Sequence, residues 1–171
     1  MNLTTIRELF RYNDWARDVL LAQAEKLDHA ALDRPFEMGP GSLRKTLEHL
    51  FQAEWGWLRR WQGYSPGKEE YPGDFPTVQS LASHWRQTAA DRDVFLDGLT
   101  DADLEQDCTF TTIEGKTYTF KLGYALLHVC NHGTHHRAQV VNMLRHLGVI
   151  TPDLEFMDMI HETDKHDASS A

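Results

Sequence analysis

The spacing of the histidines is the feature of this sequence that indicates a functional site. Four of the ten histidines lie in the stretch from His128 to His136. Within it, His132 and His136 are four residues apart, so on a helix they lie one turn apart on the same face. Two imidazoles at this spacing can bind one metal ion. At about 100° per residue both project toward the apolar side of the helix, whereas His128, His135 and His146 lie on its polar flank.

A metal site of this kind needs a third ligand from another part of the chain. His49 is the candidate, because the other histidines outside this helix fall in a loop, on a different helix or in the C-terminal tail. On the helical wheel His49 lies about 160° from Leu47, away from the main apolar stripe of its helix. The spacing therefore leaves the third ligand open. The alternative to a metal site is a pair of core histidines satisfied by hydrogen bonds.

Four long amphipathic segments must position these histidines. Ser42 and Thr77 are predicted to cap the second and third helices, while Gly63 and Gly148 are predicted to end the second and fourth. The apolar periodicity predicts helices over residues 3–27, 42–62, 78–99 and 122–147.

The periodicity changes just before the fourth helix. In residues 108–120, threonines alternate with apolar or aromatic residues around Glu114-Gly115, a pattern typical of a short β-hairpin. Together these patterns predict an all-α fold, an antiparallel four-helix bundle with a small β-hairpin before the fourth helix. One domain is expected over residues 1–160. A disordered tail is expected over residues 161–171, which include no apolar residue larger than alanine.

The net charge of the chain makes two classes of binding partner unfavourable. The chain has 171 residues, enough for one domain, and its 26 acidic and 17 basic residues give a net charge of −9. This charge disfavours nucleic acid and anionic membrane surfaces, because binding to either depends on lysine and arginine. The sequence has no stretch typical of a signal peptide and no apolar run long enough to span a membrane. We therefore expect a cytoplasmic protein.

Three further side chains are candidates for a substrate pocket. Asn13 and Glu54 lie on the apolar stripes of the first and second helices. They either approach the metal or a substrate, or they are buried polar groups with hydrogen-bond partners. Trp57 either lines a pocket or packs in the core. The sequence identifies no catalytic acid, base or nucleophile.

Motifs in three of the predicted helices resemble signature segments of one known family. They are Tyr12-Asn13-x-Trp15-Ala16, Ser42-Leu43 through Thr46-Leu47-x-His49-Leu50 with Trp57-Leu58-x-Arg60, and Leu127-His128-x-x-Asn131-His132-x-x-His135-His136-Arg137-x-Gln139. The third motif is the most specific. Over nearly its whole length the chain thus resembles the DinB family of DinB/YfiT-like metalloenzymes.

This resemblance implies a four-helix bundle with one divalent metal ion per chain, zinc or nickel, held by His49, His132 and His136. It also implies a homodimer and a small-molecule substrate. Relatives include transferases and isomerases that use low-molecular-weight thiols. The family name records DNA-damage-inducible expression and implies no contact with DNA. One departure is Ala138, at a position where the family usually has glycine.

Three functions are consistent with such a site. Three neutral histidines leave a divalent ion with a net charge of about +2 and open coordination positions, which is typical of catalytic metal sites. The first hypothesis is an enzyme that transfers a low-molecular-weight thiol to an electrophilic substrate. The second is a metal-dependent hydrolase. The third is a metal-stabilised dimer that acts as a non-enzymatic binding or stress-response module.

Overall fold

The computed structural model describes the backbone of residues 1–169 and the side-chain surroundings of residues 1–162. Most of this part of the chain is helical, so the predicted all-α class with a small hairpin is confirmed. Among the described residues, no helix has the length and apolar character that would let it cross a membrane. The elements are α1 (Leu3–Ala24), α2 (His29–Asp33), α3 (Leu43–Trp61), α4 (Val78–Asp97), β1 (Asp107–Thr111), β2 (Thr117–Lys121), α5 (Leu122–His146) and α6 (Phe156–Ser169).

The residues predicted to begin and end the long helices do so. The side chains of Ser42 and Thr77 each accept a hydrogen bond from the backbone N–H three residues later, which satisfies a free donor of the first helical turn. Gly63 follows α3 and Gly148 follows α5 with φ values of 83° and 79°. Glycine adopts this left-handed conformation without the steric cost that a side chain would add.

The four long helices form the predicted bundle, and its antiparallel packing is clearest between α3 and α5. His49 near the start of α3 contacts His136 on α5, whereas Trp57 near the end of α3 contacts His128. Residue numbers therefore rise along α3 as they fall along α5. This pairing brings histidines from two distant parts of the sequence to one interface.

By contrast, α3 and α4 run in the same direction, so the bundle departs here from the antiparallel order that the sequence predicts. Phe51 packs against Trp85, and three residues further along α3 Glu54 Oε2 lies 4.0 Å from Arg92 Nη1. The segment that joins these helices, residues 62–77, must therefore return along the length of α3 before α4 can begin. We call this segment the crossover loop.

The hairpin rests on the helices through one strand. The strands β1 and β2 pair antiparallel, with Phe110 opposite Tyr118. Cys108 and Phe110 are buried against the bundle, whereas every residue of β2 is exposed. The hairpin prediction is confirmed. Because a two-stranded ribbon is marginally stable alone, the contacts of β1 with the bundle hold it in place.

The N-terminal third of the chain differs from the prediction in two places. Helix α1 ends at Ala24 rather than at Leu27, although Leu27 still packs on the apolar core. The short helix α2, which the sequence analysis did not predict, follows the capping residue Asp28. Its five residues are too few for hydrophobic periodicity to reveal.

The C-terminal helix α6 extends into the segment predicted to be a disordered tail. It runs to Ser169, while residues 170–171 lie outside the described residues. Its first half packs on α1, where Met159 is buried and the Phe156 ring lies 5.6 Å from the Tyr12 ring. Trp15 Nε1 also donates a hydrogen bond to Glu162 Oε2 (2.8 Å). These tertiary contacts involve residues before the predicted tail or at its start. The composition of the tail, which is poor in apolar residues, therefore did not reveal them.

Asp14 is the carboxylate that joins α1 to α4. Arg92 donates two hydrogen bonds to it, at 3.1 and 2.6 Å, and Arg17 donates a third at 2.7 Å. The side chains of Arg17 and Arg92 are only 6% and 4% exposed. Two buried guanidinium groups therefore share this carboxylate, although Arg17 also pairs with Asp18 and Arg92 also pairs with Asp93.

We expect Asp14→Ala to lower the free energy of unfolding by about 3 kcal/mol, because it removes the carboxylate that two buried cations share. Urea denaturation followed by circular dichroism measures this change. The control is Glu8→Ala, which removes an exposed ion pair with Arg11 and should cost less than about 1 kcal/mol. Similar losses in the two variants would contradict the role given to Asp14.

Candidate metal centre

Three histidines converge where α3 packs against α5. The imidazoles of His49, His132 and His136 each offer one nitrogen, and the three nitrogens lie within 4.8 Å of one another. The Nε2 atoms of His49 and His132 are 3.1 Å apart. The ring centroids of His132 and His136 are 4.4 Å apart. These three histidines could therefore hold a metal ion.

The geometry and the chemistry of the three donors fit a divalent ion. Two imidazole nitrogens bound to one tetrahedral ion at about 2.0 Å are separated by about 3.3 Å. The 3.1 Å between the Nε2 atoms of His49 and His132 is close to this separation. Imidazole nitrogen is a ligand that suits zinc and nickel, among other transition metals. All three side chains are half-buried, so a bound ion would keep access to a substrate.

His49 reaches the centre because α3 is packed on two sides. Its main apolar stripe, which includes Leu47 and Leu50, is buried in the core. The second strip of the helix carries His49 together with Thr46 and Gly56, both of which are buried as well. The helical wheel separates His49 from the main stripe, and the structure shows that this second face meets α5.

Burial lowers the pKa values of two of the three imidazoles. For His132 the pKa is about 3, because burial disfavours the charged form and the neighbouring His136 and His49 add to the effect. Burial also lowers the pKa of His49, with His136 contributing in the same direction. Both groups are neutral at pH 7, and the neutral imidazole is the form that binds a metal.

Gln139 orients His136 from the side away from the other ligands. Its Oε1 atom accepts a hydrogen bond from His136 Nδ1 (2.7 Å), and its Nε2 atom donates one to His135 Nε2 (3.2 Å). One side of the amide accepts and the other donates, so the two bonds fix its orientation. With the proton on Nδ1, His136 keeps Nε2 free as a metal ligand.

The loop before α3 leaves room for this amide at Gly39. A Cβ atom at position 39 would lie 2.3 Å from Gln139 Oε1, well inside contact distance. Gly39 also has a φ of 52°, in the left-handed region that favours glycine. The loop between α2 and α3 therefore fits directly against the group that orients His136.

A cavity of about 580 Å³ opens beside His49 and His132. Trp57 on α3 forms part of its wall, and the crossover loop contributes Tyr71 and Lys68. The Tyr71 ring lies against α3 at Gly56, where a Cβ atom would come within 2.8 Å of the ring. A small molecule in this cavity would contact the histidines at one end and aromatic rings along the side.

The three pocket candidates from the sequence do not lie together. Trp57 lines the cavity beside the histidines. Asn13 and Glu54 instead line a small interior space of about 10 Å³ between the helices, together with Arg137. Burial raises the pKa of Glu54, and the nearby Arg92 opposes this effect. Asn13 and Glu54 are thus buried polar groups of the core and are not in the wall of the large cavity.

Several residues of the site were not singled out by the sequence analysis for the roles that they have. Gln139 follows His136 by three residues, so their contact across one helical turn could have been expected from spacing. Gly39, Tyr71 and Lys68 lie in loops, and no periodic pattern could have placed them.

The model of the DinB family matches residues 1–167 of the chain. The chain belongs to the DinB family. A DinB-like protein from Bacillus cereus, known from a crystal structure, has 19% sequence identity to this chain. The two structures superpose with a TM-score of 0.62 over 81% of this chain and 89% of that chain. A DinB-like protein from Bacillus subtilis has 16% sequence identity to this chain and a TM-score of 0.66, over 86% of this chain and 97% of that chain. These similarities show a shared fold. No curated protein sequence matches the chain significantly.

For this DinB-family protein we expect an alanine substitution at His49, His132 or His136 to remove most of the bound metal. Each substitution should also lower the melting temperature, because an ion that binds only the folded state stabilises that state. Metal analysis of protein purified without an affinity tag, together with thermal denaturation, measures both effects. His135→Ala is the matched control: His135 is exposed and stands outside the cluster, and it contacts Gln139 without being a ligand, so this variant should lose far less metal than His136→Ala. Equal metal loss from the His135 and His136 variants would disprove this ligand set.

A second prediction concerns the support of His136. Replacing Gln139 with alanine should weaken metal binding roughly 10- to 100-fold, because His136 loses the bond that fixes its proton and its orientation. Gly39→Ala should weaken binding in the same direction by displacing the Gln139 amide. Competition with a chelator of known affinity measures both. Gly73→Ala is the control, since no atom lies within 4 Å of the added Cβ. Unchanged affinity in the Gln139 variant would refute this role.

Proposed function

We propose that this DinB-family protein is a metal-dependent enzyme that transfers a low-molecular-weight thiol to an electrophilic small molecule. The observation that carries the proposal is a cluster of three imidazoles beside a cavity of about 580 Å³. Among the described residues, no carboxylate or thiol belongs to the cluster, so the ligands would leave the charge of a divalent ion uncompensated. A bound ion of this kind supplies positive charge that lowers the pKa of a thiol or water beside it.

The chain itself offers no reactive thiol for such a transfer. Cys130 is buried, and burial together with the nearby Glu54 raises its pKa to about 12. Burial also raises the pKa of Cys108, which lies on β1 and packs against the bundle. The thiolate is the nucleophilic form of cysteine, and neither residue would form it readily at pH 7. The sulfur of the proposed reaction therefore comes from a separate small molecule.

The walls of the cavity suit the binding of two small molecules near the histidines. Trp57 lies between the hairpin and α5, with ring centroids 4.8 Å from Phe110 and 5.1 Å from His128. Such rings bind apolar groups and exclude water from them. In the proposed transfer the thiol loses its proton and its sulfur bonds to the electrophilic carbon. That carbon then releases its leaving group, or, in an addition, the atom that takes up the displaced electron pair gains the proton.

The test uses monochlorobimane, whose chloride is displaced when a thiol adds. Metal-loaded wild-type protein should accelerate its reaction with glutathione or with a thiol extract of cells, and a chelator should remove the acceleration. His136→Ala should react at the uncatalysed rate, because it lacks one ligand. His135→Ala should keep the wild-type rate when it is saturated with metal, because all three ligands are present. Acceleration that survives both the chelator and the His136 variant would contradict the proposal.

The two other hypotheses predict different results in the same assays. Hydrolysis of activated esters without any thiol, lost in His136→Ala, would identify a metal-dependent hydrolase. A melting temperature that rises with metal, in the absence of both activities, would identify a non-enzymatic metal-stabilised module. The proposal also includes zinc or nickel as the ion, a homodimer as the assembly and the cytoplasm as the location. These features follow from the family resemblance and from the composition, and they stay predictions.

A further inference from the structure

The cavity beside the three histidines continues toward the hairpin. A second space of about 560 Å³ shares Trp57, Arg60, Thr112 and His128 with the first. Its other walls are largely the aromatic rings of β1, β2 and the start of α5. The two spaces form one trough, with the metal centre at one end and a set of aromatic rings at the other.

Arg60 is the cationic group in the middle of this trough. Its guanidinium carbon lies 4.9 Å from the centre of the Trp57 ring and 5.0 Å from that of Phe110. Its Nη2 atom donates a hydrogen bond to the hydroxyl of Tyr71 (3.1 Å) on the crossover loop. Two aromatic rings and one hydroxyl therefore hold the guanidinium in a fixed position.

This guanidinium has no acidic partner within 4.0 Å among the described residues. Its Nε atom is buried and has no hydrogen-bond partner. Glu114, in the hairpin turn, shares the cavity, and a hydrogen bond with Thr112, to which Arg60 adds a smaller effect, lowers the pKa of this carboxylate. Glu114 is exposed, however, and forms no ion pair with Arg60. Lys68 adds a second positive charge to the same wall. Arg17 and Arg92, by contrast, are paired with Asp14. A fixed cation with an unused buried donor is suited to an anionic ligand.

We propose that Arg60 binds the carboxylate of an elongated substrate with a flat apolar body, whose reactive end lies at the three histidines. The identification of this molecule as the electrophile rests on the proposed thiol transfer. A guanidinium presents parallel N–H groups that match the two oxygens of a carboxylate, and aromatic walls stack on flat apolar groups. The backbone positions of His49 and Arg60 are eleven residues, or about 16 Å, apart along α3. The Arg60 guanidinium reaches back over Trp57, so the gap between it and the histidines is shorter but still favours an elongated molecule.

The test compares 2-naphthoate with its neutral analogue 2-naphthamide. Both have the same flat ring system, and only the first carries a negative charge. Binding is measured by titration calorimetry on the full chain, in metal-loaded and in chelator-treated protein. We expect the wild type to bind 2-naphthoate about tenfold more tightly than 2-naphthamide, because charged hydrogen bonds replace neutral ones. The preference should persist after the metal is removed.

Arg60→Met should abolish this preference while leaving the binding of 2-naphthamide within about twofold. Arg60→Lys keeps the charge but loses the fork of donors, so it should show an intermediate preference. The matched control is Arg59→Met, which changes the neighbouring arginine that lies over Trp55 and donates to Gln62. It should keep the wild-type ratio. Melting temperatures establish that each variant is folded.

Three results would overturn this inference. In the first, both probes bind the wild type equally. In the second, the preference survives Arg60→Met. In the third, the preference disappears when the metal is removed, which would assign the carboxylate to the metal. None of these results bears on thiol transfer, which is measured with monochlorobimane and the histidine variants. Conversely, a preference lost in Arg60→Met would support the anion site even if no thiol transfer were observed.

Discussion

Three imidazoles share the interface between two antiparallel helices, and the surrounding structure depends on this arrangement. Polar nitrogens that are removed from water need hydrogen-bond partners or a metal ion. His49 and His132 face each other at 3.1 Å, and His136 bonds to Gln139. Gly39 then leaves the space that the Gln139 amide occupies. A single requirement, that the half-buried imidazoles be oriented, thus reaches from α5 through a side-chain amide to a loop.

The helix α3 carries polar groups on two different faces, and each face has its own role. Glu54 points into the bundle toward Arg92 of α4, which also binds Asp14 of α1. His49 and Trp57 lie on the face that meets α5 and the cavity. This division explains why Glu54, although polar and buried, does not belong to the metal centre. Glu54 faces a cation inside the core, while the second face of the same helix is available for ligands.

The parallel direction of α3 and α4 has a consequence for the cavity. The crossover loop must return along α3, and it does so on the side that carries the site. Gln52 Nε2 fixes the loop by donating a hydrogen bond to the carbonyl oxygen of Pro72 (2.9 Å). Tyr71 then lies close to Gly56 and holds the side chain of Arg60. Loops positioned by a rigid scaffold commonly carry binding residues, and here the topology of the bundle requires such a loop.

The sequence by itself determined the four long helices, the hairpin and the pairing of His132 with His136, because period, caps and i,i+4 spacing are local properties. It could not decide from spacing whether His49 joins them, and family resemblance supplied that expectation. The convergence of the three nitrogens depends on which faces of α3 and α5 meet. The same holds for Gly39 beside Gln139, and for Tyr71 beside Arg60. Such contacts join residues far apart in the chain, so only the packing of the helices and the path of the loops could bring them together.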